Sequence, residues 1–305
     1  MAPIPPPADS TVKRIYETWK VMRPPRHSRR LGASQIGKSC DRMLWYSFRW
    51  AKLPDFEGRM LRLFERGYLE ETILTQELKR IGVEFNAVDP DTGKQYEFSD
   101  LGDHFVCKID GAGCGFVEAP AAWHVVEFKT ASESNYGKIV KQGVFEAKPE
   151  HYAQCQMGMG MSGMERCAYI VVNKNTDEIH MERIAFDSSA YTQLRQRAKE
   201  IIFSVWPPER ISDSPAWYEC KMCTFHGLCH GVDAAEQNCR TCKHSMPLED
   251  GGWVCDKHNE VLAELECCSD GDFEYRDGMV SGPVQKAADL FQGEILPNDP
   301  ARVSE

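Results

Sequence analysis

No apolar run in this 305-residue chain approaches the length of a membrane span, so no membrane association is expected. The opening Met1-Ala2-Pro3-Ile4-Pro5-Pro6-Pro7 lacks the apolar core of a secretion signal, and a cytoplasmic location is the expectation. Internal repeats are missing, which excludes a solenoid or a propeller. Positive charge is short as well: the formal net charge of −10 argues weakly against a nucleic-acid partner. The distribution is uneven, however. Residues 1–50 carry ten Lys/Arg against Asp9, Glu17 and Asp41, with Arg23, Arg26, Arg29 and Arg30 grouped. That arm is either a solvated basic segment or a phosphate-contacting one.

Cysteine is plentiful. There are thirteen, an odd number in a chain too long to need a disulfide scaffold, and eight lie between Cys220 and Cys268. In a reducing compartment such clusters read as metal sites.

Hydrophobic spacing outlines the elements. Residues 1–10 are Pro-rich and read as disordered. A short helix is expected over 11–22 and another over 34–50, with Ser34 as its N-cap. Over 57–81, Leu61, Phe64, Tyr68, Leu74, Leu78 and Ile81 form one stripe. On a wheel of about 100° per residue Glu71 falls near the middle of that stripe and Glu70 at its edge. A carboxylate centred on a buried face needs a partner or a task. Strands are expected over Val83–Val88, Gln95–Phe98, His104–Asp110 and Trp123–Lys129, the first two joined by the turn Asp89-Pro90-Asp91-Thr92-Gly93. Residues 131–148 read as a loop rich in Ser and Lys. Pro149 opens a helix to about Met161. Arg166–Val172 and Glu178–Phe186 read as a hairpin, and 188–205 as a helix ended by Pro207-Pro208. This order implies an α/β or α+β sandwich around a mixed sheet.

Two of these strands end in charge: one at Asp110, the other at Glu127-Phe128-Lys129. Carboxylates on neighbouring strand ends can hold Mg²⁺ or Mn²⁺, hard ions that prefer oxygen ligands. Strand alternation puts Glu127 and Lys129 on one face and Phe128 on the other, leaving the Phe128 carbonyl as a further ligand. Lys129 can orient a water or neutralise charge growing on a phosphate. Such triplets alone also occur as surface ion pairs. Here the inward Glu71 and the downstream Pro149-Glu150-His151-Tyr152-Ala153-Gln154-Cys155-Gln156 add to the set.

Together these residues resemble the PD-(D/E)xK nuclease superfamily in its RecB-like branch. The branch's Gly-x-x-x-(His/Glu) helix matches Gly67 to Glu71, its metal Asp matches Asp110, its E-x-K matches Glu127 and Lys129, and its Gln motif matches Gln154. The segment from Pro149 to Gln156 is similar to viral recombinase exonucleases of the YqaJ and lambda type. Gly158 stands where the Gln-x-x-x-Tyr form has Tyr, which leaves Gln154 and Gln156 open as the site amide. The resemblance implies a restriction-endonuclease-like mixed central sheet flanked by helices. It also implies DNA as the partner, cut from an end, with a recombination or replication protein as a further partner.

Cys220-x2-Cys223-x5-Cys229 supplies three thiols, and Cys40-Asp41-Arg42 a distant fourth. This pattern resembles the iron–sulfur staple of the AddB nuclease domain and of the CRISPR-associated RecB-like nuclease. It implies a 4Fe–4S cluster on Cys40, Cys220, Cys223 and Cys229, though thiolates also suit Zn²⁺. Such a clip restrains a long loop, so structure leads and redox sensing follows. His226 and His230 lie nearby. A second cluster, Cys239-x2-Cys242 with Cys255 and Cys267-Cys268, reads as a zinc ribbon-like module. Cys239, Cys242, Cys255 and Cys268 are the expected ligands, with Cys267, His244 and His258 as alternates. DNA, a partner protein or the nuclease domain could each be what the module touches. Cys107, Cys114, Cys155 and Cys167 are expected to be buried small residues, and Met157, Met159, Met161 and Met164 to be packing. The implied organisation is an arm over 1–30, a nuclease domain over 31–232, a zinc-binding module over 233–284 and a tail over 285–305. A sequence-specific endonuclease, a vestigial DNA-binding factor and a purely metal-binding protein are the rival readings.

Overall fold

The longest stretch of buried backbone sets the architecture. In the computed structural model, which describes residues 9–263, 265 and 271–280, a five-stranded sheet has the order β2-β5-β6-β7-β8. Its strands are β2 (Glu84–Asn86), β5 (Gly111–Cys114), β6 (His124–Ala131), β7 (Arg166–Asn173) and β8 (Ile179–Ala185). A smaller sheet has the order β1-β4-β3, from β1 (Leu31–Gly32), β3 (Glu97–Asp100) and β4 (Phe105–Lys108). The helices are α1 (Thr11–Met22), α2 (Ala33–Ile36), α3 (Asp41–Phe48), α4 (Gly58–Arg80), α5 (Glu133–Ala147), α6 (Pro149–Ser162), α7 (Ser188–Phe203), α8 (Tyr218–Lys221) and α9 (His226–His230). The result is the expected mixed α+β arrangement, consistent with a restriction-endonuclease-like fold. The Pro-rich start over 1–8, the tail and the Cys267-Cys268 pair lie outside the described residues. Among those described, no helix is long and apolar enough to cross a membrane.

β6 and β7 are parallel, from Val125↔Cys167 to Ala131↔Asn173, while the other pairings of this sheet are antiparallel. A parallel pair needs a long crossover. Residues 131–148, expected to be a loop, supply its first part as α5. Their Ser and Lys content concealed Tyr136, Ile139 and Val144 at helical spacing, of which Ile139 and Val144 are buried. Ser132 caps the helix by accepting from the Asn135 N–H. α5 bends at Gly143 (φ 79°, ψ 164°), where Glu182 of β8 accepts the Val144 N–H at 2.8 Å. The second part of the crossover, α6, starts at Pro149 as expected.

Alternation along β6 separates two cores. Val126 and Phe128 face α4 with Ala168, Ile170 and Val172 of β7 and with Leu74 and Leu78. Val125 faces the opposite side with Cys167, Tyr169 and Val171, under Ile139, Ala153 and Met157 of α5 and α6. Each buried Val, Leu or Phe contributes roughly 1.5–3 kcal/mol by leaving water. Met157 and Met159 are packing, as are Cys107, Cys155 and Cys167, but Cys114 is partly exposed.

Two helices differ from expectation. The stripe of α4 is shorter: Leu61, Leu74 and Leu78 are buried, whereas Phe64, Tyr68 and Ile81 are exposed. α4 outruns the sheet it covers. Its first turns lie on α1, where Gly58 permits approach to the Tyr16 backbone, and Tyr68 lies under the Arg23 guanidinium at 5.4 Å. The helix expected over 34–50 is two, α2 and α3, and Ser34 caps neither. Between them Gly37 presses on α6; a Cβ there would sit 2.5 Å from Glu150 Cα. Cys40 thereby becomes the N-cap of α3, not a residue within a helix.

The Cys-rich segment forms a third sheet from β9 (Ser245–Pro247), β10 (Trp253–Cys255) and β11 (Glu260–Val261). It shares the core of the rest. Trp253 packs on Phe48 and His104, and the Arg240 guanidinium stacks on Trp50 at 4.1 Å and Trp253 at 4.6 Å. Arg240 donates to the carbonyls of Phe48 and Arg29, and Arg49 to that of Ser204. The N-terminal segment is likewise engaged, with Arg30 paired to Glu97 and Asp103.

Gly143 sits in a backbone region that is nearly exclusive to glycine. Gly143→Ala is expected to cost about 1–3 kcal/mol, read as a lower urea midpoint. An unchanged midpoint would show that the bend relaxes without penalty.

Candidate active site

Asp110 occupies a switch point. The chain leaves the small sheet after β4 at Lys108 and enters the large sheet with β5 at Gly111. The Asp110 N–H donates to the Val126 carbonyl at 3.2 Å, and its Oδ2 accepts from the Phe128 N–H at 2.8 Å. In a strand, the N–H and C=O of one residue turn to the same side. Phe128 therefore also turns its carbonyl toward Asp110, past the last β5–β6 pairing at Gly111↔Val126. Its ring is buried against Phe85 on the opposite face from Glu127.

Glu127 is 1% exposed and accepts from the Lys129 ammonium, its neighbour on the same face. Glu71 is half-buried on α4, close enough to respond to Asp110 and Lys129. The four residues are thus brought together, with Glu71 on the helix that covers one face of the sheet and Glu127 and Lys129 on the other.

Three carboxylates surround one ammonium, and the titration follows from that imbalance. Burial pushes Glu127 up to about 8; Lys129 opposes this, while Asp110 and Glu71 add to it. Burial, with Asp110 adding, pushes Glu71 up to about 7. Asp110 is raised by burial, against Lys129 and the Phe128 N–H. Lys129 is held above the usual lysine range, because Glu127 and Asp110 outweigh its own burial. The cluster is short of positive charge and rich in hard oxygen donors, which suits a divalent cation. Among the described residues, no three His, Cys, Asp or Glu side chains are gathered to hold one ion. Mg²⁺ needs only one or two protein carboxylates, and those offered here are Asp110 and Glu127.

α6 crosses the face that carries Glu127. Of its two amides, Gln156 is fully buried and tied to backbone, donating to the Ala185 carbonyl at 2.9 Å and accepting from the Asp187 N–H at 2.8 Å. That leaves the partly exposed Gln154 as the amide available to a ligand. One turn earlier stands His151, a residue with no role expected from the sequence. Its Nδ1 lies 2.8 Å from the Tyr169 hydroxyl, and Tyr169 pairs in register with Glu127. Burial, helped by Lys129 and Lys148, pushes His151 down to about 3. Its spacing of three residues from Gln154 was the signal in the sequence.

The distant cysteines open on one cavity. Cys40, Cys220, Cys223 and Cys229 line one opening of about 820 Å³ with His226 and His230. Burial raises the Cys223 thiol, and Cys40, Cys229 and Cys220 raise it further. His226 is engaged by the Pro215 carbonyl at 3.1 Å. In the second cluster Cys242 and Cys255 are buried and Cys239 is partly exposed, while Cys268 lies outside the described residues. His244 is held on both ring nitrogens by Asp256 (3.0 Å) and Glu274 (3.1 Å), and His258 pairs with Asp272.

No protein-family model and no curated protein matches the chain. Solved structures are. An alkaline exonuclease from Laribacter hongkongensis is 17% identical, with 61% of this chain and 90% of that one covered at a TM-score of 0.40. Its complex with dAMP gives the same identity and coverage at 0.41. The protein SSO0001 is 13% identical, with 72% and 96% covered at 0.43. At such identity and overlap the likeness does not extend to activity.

A carboxyl raised on folding contributes stability that is full below its unfolded value near 4.5 and is lost as pH climbs through about 7 to about 8. With magnesium omitted, urea midpoints should therefore fall over that window, and Glu127→Gln should flatten the fall. An equally steep fall in the variant would remove Glu127 as its source.

Proposed function

We propose that the chain is a Mg²⁺- or Mn²⁺-dependent DNA nuclease acting on ends. The observation that carries this reading is the convergence of Glu71, Asp110, Glu127 and Lys129 where β5 begins beside β6. Asp110 and Glu127 would hold the ion with the Phe128 carbonyl. A divalent ion there polarises a scissile phosphate and lowers the pKa of its water. The chain's own part is positional. The Phe128 N–H fixes Asp110, and Glu127 restrains the Lys129 ammonium where charge would grow on the phosphate. Glu71, ionising near neutrality, completes the carboxylate set, and Gln154 orients water or phosphate from α6. Action on ends rests on the resemblance of Pro149–Gln156 to the YqaJ- and lambda-type exonucleases.

The four converging thiols suit a 4Fe–4S cluster by donor type. Thiolates suit Zn²⁺ as well, and the preference for a multi-iron centre rests on the resemblance to the iron–sulfur staple. Cys239, Cys242 and Cys255 would bind zinc together with Cys268.

Anaerobically purified protein with Mg²⁺ or Mn²⁺ should shorten end-labelled linear DNA and leave closed circles intact. Asp110→Asn, Glu127→Gln and Lys129→Gln should each lose about 100-fold or more. Variants as active as the wild type, or a wild type inactive on every DNA, would end the reading; cut circles would convert it to an endonuclease. The same sample should contain about four iron atoms per chain. Zinc in their place would overturn the cluster.

A further inference from the structure

The Tyr169 hydroxyl is sealed in the core beside Glu127, and His151 Nδ1 is its hydrogen-bond partner among the described residues. A buried hydroxyl keeps its proton and must place it on an acceptor. Burial and the nearby Cys155 and Glu127 discourage its ionisation. Tyr169 therefore donates, and His151 Nδ1 accepts. An imidazole that accepts at Nδ1 while neutral carries its proton on Nε2. Burial, helped by Lys129 and Lys148, opposes a second proton on the ring.

We propose that Tyr169 sets His151 in the Nε2–H form, and that this neutral ring donates to a non-bridging oxygen of the substrate phosphate held beside Lys129. The inference rests on the nuclease reading and adds a residue to that site. Its logic is electrostatic. A phosphodiester brings negative charge to a place that already holds Glu71, Asp110 and Glu127, so donors other than carboxylates must receive it. A second cation would be repelled by Lys129; a neutral donor is not. His151 lies on the helix that carries Gln154, one turn before it, so both side chains come from α6. Tyr169 is a positioning residue: it acts through the His151 ring to which it hydrogen-bonds.

The test pairs kinetics with nitrogen NMR of histidine-labelled full-length protein. His151→Phe should lower kcat about 100-fold while changing KM little, and His151→Gln, whose amide N–H replaces Nε2–H, should recover most of the loss. Tyr169→Phe should give a mixed tautomer and an intermediate kcat. In the wild type the His151 Nδ1 should show the shift of an unprotonated nitrogen. A protonated Nδ1, or His151→Phe at wild-type kcat in an active enzyme, overturns this inference and leaves the nuclease reading intact. A wild type inactive on all DNA overturns the nuclease reading and the phosphate contact with it, whereas the tautomer alone would still stand.

Discussion

The pairing of buried Glu127 with half-buried Lys129 is the constraint around which the rest is arranged. Removing a carboxylate from water is expensive unless charge and hydrogen bonds replace the solvent. Here the replacement is incomplete. Lys129 faces Asp110 and Glu71 as well as Glu127, so the proton affinity of the whole group rises. A structural ion pair would be balanced; here three carboxylates face one ammonium. The parallel pairing of β6 with β7 holds it rigidly, and the crossover that such pairing demands brings α6 over the same face. One topological requirement thus supplies both the strand that carries the charges and the helix that carries Gln154 and His151.

The second organising feature is closure between distant parts of the chain. Cys40 at the start of α3 lines one opening with Cys220, Cys223 and Cys229, while the end of α3 receives the Cys-rich sheet through Phe48, Trp50 and Trp253. Guanidinium groups do the fastening there. Arg49, Arg240 and Arg276 are buried and donate to carbonyls from their terminal nitrogens, while the Nε of each has no hydrogen-bond partner among the described residues, and burial lowers the affinity of each for its proton. Aromatic faces beside Arg49 and Arg240 offset part of that cost.

Much of this was legible before the fold was known, and the failures share a cause. Alternation put Glu127 with Lys129 and Phe128 opposite, and the pleat did the same. The hairpin across 173–177 and the helix at Pro149 formed as their turn and cap residues indicate. The helix over 133–147 was concealed because its Ser, Lys and Gly content outweighed a sparse apolar spacing that only packing against β6 and β7 makes decisive. Phe64 and Tyr68 fit the α4 stripe but found no sheet beneath them. Gln154 and Gln156 are equivalent in sequence; the backbone of β8 and the start of α7 claims Gln156 and separates them.

By itself the sequence determined which chemistry was on offer: hard oxygen donors and an ammonium on one strand, an inward carboxylate on a long helix, and thiols at ligand spacing. These are local properties, governed by periods of about 2.0 and 3.6 residues and by side-chain type. Only the tertiary structure decided that Asp110 stands where one sheet gives way to another, that Glu71 reaches it from α4, and that Tyr169 lies within hydrogen-bond distance of His151. Desolvation and Coulomb fields depend on neighbours brought from elsewhere in the chain, and no local period encodes them.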